Sequence, residues 1–283
     1  MKKIILVVAA AAAVIAQSCT KDSINSAQDR AMLETGREIC FSTTGIEVNA
    51  STKVTAVTNE NISSFNLLTN NGAADAQSYL WTATASRVGT TPTFQTGRYW
   101  PNSNPSYHFY ASNAALTSVA NGATVTADGT LDVVCGYVEN PNFNGLNLLN
   151  FIHIYSRIAD ISVTSSKGYT ISGLSLVLKN AKTGGVYNVG AESWSNCTVV
   201  ENATLIEGTN DYYIVPGTYT INIDYTFTKG DYTASFSKTA DVTLTGGKNN
   251  NIAITLTADP AVPVNFTVRV YDWEIQNIPL SVS

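Results

Sequence analysis

The chain reads as all-β, a series of antiparallel strands of sandwich type, on three observations. Apolar and polar residues alternate with period two along many short stretches, which puts one set of side chains on a buried face. Gly, Asn and Pro punctuate those stretches at short intervals, as sandwich turns do. No stretch carries the 3.6-residue apolar stripe of an amphipathic helix of several turns. Removing an export signal of 18 residues from 283 leaves 265, near the ceiling for a single core. Two β-sandwiches in tandem are therefore expected, meeting near Gly145. The segments are 1–18, signal; 19–37, tether; 38–145, N-terminal sandwich; and 146–283, C-terminal sandwich with a tail.

Lys2-Lys3 form a positive n-region, and Ile4 to Ala16 is an unbroken apolar run of thirteen residues. That run is shorter than the ~20 residues a membrane-spanning helix needs, so it reads as a signal h-region. It ends in Ala16-Gln17-Ser18-Cys19, similar to a bacterial lipobox in which Cys19 becomes the acylated first residue; Ala16 stands where leucine is usual. Two or three acyl chains would anchor the protein stably, where one alone is marginal. Thr20 to Gly36 is polar and mixed in charge, a tether between lipid and fold.

The first strand falls in Glu38–Val57. Ile39 and Phe41 alternate with Cys40 and Ser42, and the small polar run Asn49-Ala50-Ser51-Thr52 leads to Lys53. A protease specific for basic residues would cut there without disturbing a packed element. Ile62–Thr69 is a strand before the turn signal Asn70-Asn71-Gly72. Tyr79–Ala83, Thr93–Trp100 and Tyr107–Ala111 are short strands, and Gly122, Gly129 and Gly136 punctuate the next stretch. Asn147–Val163 reads as one long strand with Leu148, Ile152, Ile154 and Ile158 on its buried face. Ile171–Leu178 is a strand, with Gly184-Gly185 a turn. Tyr212–Val215 leads into Pro216-Gly217. Ile221, Ile223, Tyr225 and Phe227 share one face, and Lys229-Gly230-Asp231 closes a hairpin onto Tyr232–Thr239. Val242–Thr245, Gly246-Gly247 and Ile252–Thr257 read as a further hairpin, and Phe266–Trp273 as the final strand. In the tail, Ile278, Leu280 and Val282 alternate with Pro279, Ser281 and Ser283, giving one apolar face.

The mature chain has 14 basic and 21 acidic residues, a formal charge of −7, which argues against nucleic acid or an anionic membrane face as partner. The two histidines, His108 and His153, alternate with apolar neighbours inside strands and read as structural. No nucleophile elbow, phosphate loop or metal-ligand spacing occurs, so neither an enzyme nor a cofactor or metal site is expected. Cys40, Cys135 and Cys197 remain besides Cys19, without CxxC spacing, and read as small buried hydrophobes. Among the four tryptophans, Trp194 in its polar surroundings is the best candidate for a sugar-binding platform and Trp273 reads as core.

Several spaced pieces together resemble the fimbrillin family of Bacteroidetes, the subunits of protease-assembled pili. They are the lipobox cysteine, Phe41–Thr43, the basic loop at Lys53, ISSF at Ile62–Phe65, RYWP at Arg98–Pro101 and YHFYAS at Tyr107–Ser112. Further along come LNFIHIYSRI at Leu149–Ile158, YYIVPGTYTINIDY at Tyr212–Tyr225, Gly247-Lys248-Asn249 and Trp273. The resemblance implies two transthyretin-like antiparallel β-sandwich domains in tandem and a lipid-anchored precursor at the outer membrane. It also implies a Lys/Arg-specific protease that cuts after the first strand; arginine is usual there, and Lys53 stands in its place. The strand carrying Ile39 and Phe41 would leave, and a tail like Ile278–Val282 from another fimbrial subunit would replace it by strand addition. Pro279 must then point its nitrogen away from the partner strand, and Ile275 is out of phase with the later set. The implied role is a structural subunit of a surface fimbria serving adhesion to a host or bacterial surface ligand. The second reading is a surface glycan-binding lipoprotein of a polysaccharide-uptake system, which would share signal, tether and sandwiches but needs neither cut loop nor apolar tail.

Overall fold

The structure is a computed structural model that describes residues 38–44, 62–70, 81–89, 93–100, 107–119, 122–139, 146–165, 169–257 and 265–272. Every regular element among them is a β-strand, as the alternation requires. Seven strands close into a barrel: β1 (Glu38–Thr44), β2 (Ser64–Asn70), β3 (Trp81–Arg87), β4 (Thr93–Tyr99), β5 (His108–Ser112), β8 (Val134–Glu139) and β9 (Leu146–His153). Their order around the barrel is β1-β4-β3-β2-β5-β8-β9. Its interior is filled by Ile39, Phe41, Phe65, Phe94, Phe109 and Phe151, each 0 or 1% exposed. The rings meet at edges and tilts that suit their quadrupoles, with Phe65 4.9 Å from Phe94 and 5.2 Å from Phe151.

Two further sheets pack face to face. One has four strands, β13 (Gly208–Ile214), β10 (Ser156–Ser165), β16 (Lys248–Leu256) and β17 (Asn265–Asp272). The other has the order β15 (Tyr232–Leu244), β14 (Gly217–Lys229), β11 (Thr170–Asn188), β7 (Gly122–Ala127), β6 (Leu116–Val119), and β12 (Ser193–Leu205) also pairs with β11. Strand β14 places Ile221, Ile223, Tyr225 and Phe227 inward, as its alternation predicts. These four pack with Ile158, Ile161, Ile252, Ile254 and Leu256 from the opposite sheet. The β6–β7 pair thus comes from the first half of the chain but completes a sheet of the second. A third cluster, with Leu68, Tyr110, Val125, Tyr155, Tyr187 and Tyr213, lies where barrel and sheets meet.

Three expectations are corrected. Asn147–Val163 is not one strand: it breaks at Ile154-Tyr155, where the chain leaves the barrel for the four-stranded sheet. Inward residues before the break are Leu149, Phe151 and His153, whereas Leu148 is 56% exposed. After the break Ile158 and Ile161 are buried. Both Ile154 and Tyr155 are buried at the crossing, their backbones held by Ile154 N–H to Val133 O at 3.1 Å and Gly247 N–H to Tyr155 O at 2.8 Å. Gly184-Gly185 is not a turn but lies inside β11, where bare backbone allows close approach: a Cβ on Gly184 would sit 2.3 Å from the Ala127 carbonyl oxygen. Finally, Val242–Thr257 is not a hairpin. Strands β15 and β16 belong to different sheets, and β16 runs parallel to β10, with Ile161 beside Ile252.

Candidate functional site

The element that distinguishes the barrel is the strand at its seam. β1 carries the alternation Ile39-Cys40-Phe41-Ser42-Thr43, and its inward set, Ile39, Phe41 and Thr43, is 0, 0 and 3% exposed. Phe41 meets Phe109 at 5.0 Å and Phe65 at 6.2 Å, both edge-on. Burying Ile39 and Phe41 contributes about 1.5–3 kcal/mol each. On one edge β1 runs antiparallel to β4, with Phe41 beside Phe94; on the other it runs parallel to β9, from Cys40 beside Leu146 to Thr44 beside Asn150. It is therefore a central strand whose pairs reach across more than a hundred residues.

A bulge in β4 grips the start of β1. The register slips between Glu38 opposite Tyr99 and Cys40 opposite Gln95, and Gly97, in the left-handed region at φ 65°, absorbs the extra residues. The slip frees the Gly97 N–H, which donates to the Glu38 carboxylate at 2.7 Å, while Thr96 Oγ1 donates to the Ile39 carbonyl at 2.8 Å. Burial raises the Glu38 carboxyl above its ordinary 4.5, opposed by the amides of Gly97 and Thr96. Asn147 Nδ2 reaches the Cys40 carbonyl from β9 at 3.5 Å. Cys40 is 2% exposed and disulfide-bonded, a departure from the free small hydrophobe expected; Cys135 and Cys197 are free. Burial pushes the Cys135 thiol up to about 12, which leaves it inert.

The structure thus places Ile39 and Phe41 together in one core. Cys19, Lys53, Ile278, Leu280, Val282 and Trp273 lie outside the described residues.

Sequence reasoning missed two buried polar pairs. His153 Nδ1 lies 2.9 Å from Asp132, with side chains 4 and 2% exposed. Arg157 is paired with Asp211, through Nε at 2.7 Å, and donates from Nη1 to Asn249 at 3.2 Å. Both pairs border the crossing between β9 and β10. Arg157 inside an apolar strand is the signal that points to one of them, since a buried guanidinium requires a carboxylate. His108 is held by Tyr137 and lies 3.9 Å from Glu139. Among the described residues no group of three His, Cys, Asp or Glu is placed to hold a metal ion. Trp194 is no open platform: its Nε1 donates to the Ile154 carbonyl at 3.2 Å, and its ring lies 5.0 Å from Tyr155 and 5.3 Å from Tyr187.

Comparison with solved structures finds the same fold in three candidate cell adhesion proteins. One from Bacteroides ovatus is 12% identical, with 86% of this chain and 100% of that one covered and a TM-score of 0.53. One from Bacteroides eggerthii is 16% identical, with coverage of 84% and 97% and a TM-score of 0.51. One from Parabacteroides distasonis is 11% identical, with coverage of 84% and 96% and a TM-score of 0.51. No curated protein matches the sequence. The pattern of one family, described as fimbrillin-like, matches residues 42–273, most of the chain, and the chain belongs to that fimbrillin-like family.

Proposed function

We propose that this chain is a structural subunit of a surface fimbria, joined to its neighbours by protease-triggered strand exchange and serving adhesion. The observation that carries the reading is the place of β1. A strand at the N-terminal end of the described chain closes a barrel, and Lys53 follows it in the sequence. A cut after Lys53 would leave β1 held only by non-covalent contacts. Its loss would bare the edges of β4 and β9 and empty the places of Ile39, Phe41 and Thr43. The tail residues Ile278, Leu280 and Val282 have the same two-residue spacing as that inward set, so a tail from another subunit would fill the slot side chain for side chain. The neighbours of like fold are named for cell adhesion, which agrees with this role. In this reading the subunit is two transthyretin-like β-sandwich domains in tandem and acts by assembly rather than catalysis.

The test is to treat purified protein with a Lys/Arg-specific protease and run it unboiled in SDS. Wild type should form SDS-resistant oligomers, whereas Lys53→Ala and a chain ending at Trp273 should stay monomeric. Polymerisation of the Lys53→Ala protein would place the cut elsewhere; polymerisation of the shortened chain would exclude the tail as donor.

The same proposal has the precursor displayed on the outer membrane through acylated Cys19. Wild type should incorporate labelled palmitate and sediment with membranes, and Cys19→Ala should do neither. Equal labelling of both would refute the anchor.

A further inference from the structure

The slot that β1 fills differs at its two ends, so it distinguishes the direction of whatever strand lies in it. At the first end the Gly97 N–H, freed by the bulge in β4, donates to the Glu38 carboxylate at 2.7 Å. Glu38 is itself buried, and an apolar side chain in its place would leave that amide without its acceptor. Along the inner face the side chains run from Ile39 through Phe41 to the smaller Thr43, all buried. Ser42 lies on the other face, half-buried, opposite Thr93 of β4 and beside Leu148 of β9, which is exposed.

We infer that the strand entering this slot is residues 277–283 of a second copy of this chain, laid in the direction of β1 with Asn277 in the place of Glu38. The inference rests on the strand exchange proposed above and names its partner. β1 reads Glu-Ile-Cys-Phe-Ser-Thr-Thr, and the tail reads Asn-Ile-Pro-Leu-Ser-Val-Ser. In this register Asn277 brings a carboxamide oxygen to the Gly97 amide without burying a charge. Its side chain is one methylene shorter than that of Glu38. Gly97 is exposed, and a Cβ there meets nothing within 4 Å, so the bulge is free to close that difference. Ile278 repeats Ile39, Leu280 puts a large apolar side chain where Phe41 was, Ser281 repeats Ser42, and Val282 has the size of Thr43. Pro279, in the place of Cys40, has no N–H to give in either direction. The opposite direction would set Val282 in the place of Ile39, leaving a gap in a wholly buried site, and force Ile278 into the place of Thr43. It would also carry Asn277 to the end of the slot away from Gly97. One chain thus holds both the slot and a segment that matches it position by position, so a subunit of a single kind extends itself.

The test uses the full mature chain with no other subunit present. Cut with the Lys/Arg-specific protease, it should release the fragment ending at Lys53 and form SDS-resistant oligomers. Asn277→Ala should raise the protein concentration needed for half-maximal assembly about threefold to tenfold. Asn277→Glu, which restores the side chain of Glu38, should recover the wild-type value. A short thiol cross-linker should join neighbouring copies through Ser281→Cys with Leu148→Cys, as it does not in the parent chain, because Ser281 takes the place of Ser42 beside Leu148. Ser281→Cys with Gln95→Cys, which lies beside Cys40, should not cross-link. A fragment that stays bound after the cut would refute strand exchange, and this inference with it. Release of the fragment without oligomers would exclude a second copy as donor while the emptied slot remained. Equal assembly of Asn277→Ala and wild type, or cross-linking through Gln95→Cys in place of Leu148→Cys, would overturn the direction and register.

Discussion

Single residues at the seam carry the sharpest consequences. Phe41 is wholly buried among Phe65 and Phe109. Phe41→Ala leaves a cavity in a ring-packed core and should cost about 3–5 kcal/mol. Ser42→Ala, on the opposite face, should stay within about 0.5 kcal/mol; denaturant unfolding measures both. Glu38 gives a pH dependence of definite sign. Its carboxyl is raised by burial, so the folded chain holds that proton more tightly than the unfolded chain. Stability from this group is present at low pH and is lost as pH rises from 4.5 through the folded value. Glu38→Gln should therefore gain in melting temperature relative to wild type between about pH 4 and pH 7; a constant difference would mean the buried carboxyl is not its cause. The sequence displays Ile39 and Phe41 as an inward pair by simple alternation. It does not display Glu38 as buried, because its partner is a backbone amide freed by a bulge 59 positions away.

Elements show where local pattern gives out. The sequence of β11 looks like a strand followed by a glycine turn. In the fold it is nineteen continuous residues serving β14 at one end, β7 at the other and β12 along most of its length. Gly184 and Gly129 permit this by bringing backbones into contact. Gly129 is left-handed at φ 77°, and a Cβ there would sit 2.1 Å from the Thr183 carbonyl oxygen. Gly97 is left-handed too, but a Cβ there meets nothing within 4 Å. Gly129→Ala should cost about 3–5 kcal/mol, strain and overpacking together, and Gly97→Ala only about 1–2 kcal/mol, strain alone. Equal losses in melting experiments would remove close approach as the reason for Gly129. The break at Ile154-Tyr155 is equally hidden, since both residues are apolar and prolong the strand pattern.

For the whole molecule, strand exchange makes β1 replaceable and predicts competition. A synthetic peptide of residues 38–53 in excess should slow or stop oligomer formation by the cut protein, and the same peptide with Ile39 and Phe41 changed to Ser should not. Equal inhibition by both peptides would show that the slot does not read the inward set. By itself the sequence determined the all-β class, the inward faces of β1 and β14 and most strand positions, because burial of alternate side chains is a local, period-two property. Motif order along the chain carried the family as well. Tertiary structure alone decided which strand lies beside which: that seven strands close into a barrel, that β1 runs parallel to β9, that β6 and β7 join the later sheet, and that β12 pairs with β11. The physical reason is that ladder bonds join backbone groups common to every residue, so alternation states which face is buried but not which edge is paired. Partners such as Cys40 and Leu146 are chosen by the packing of the whole core.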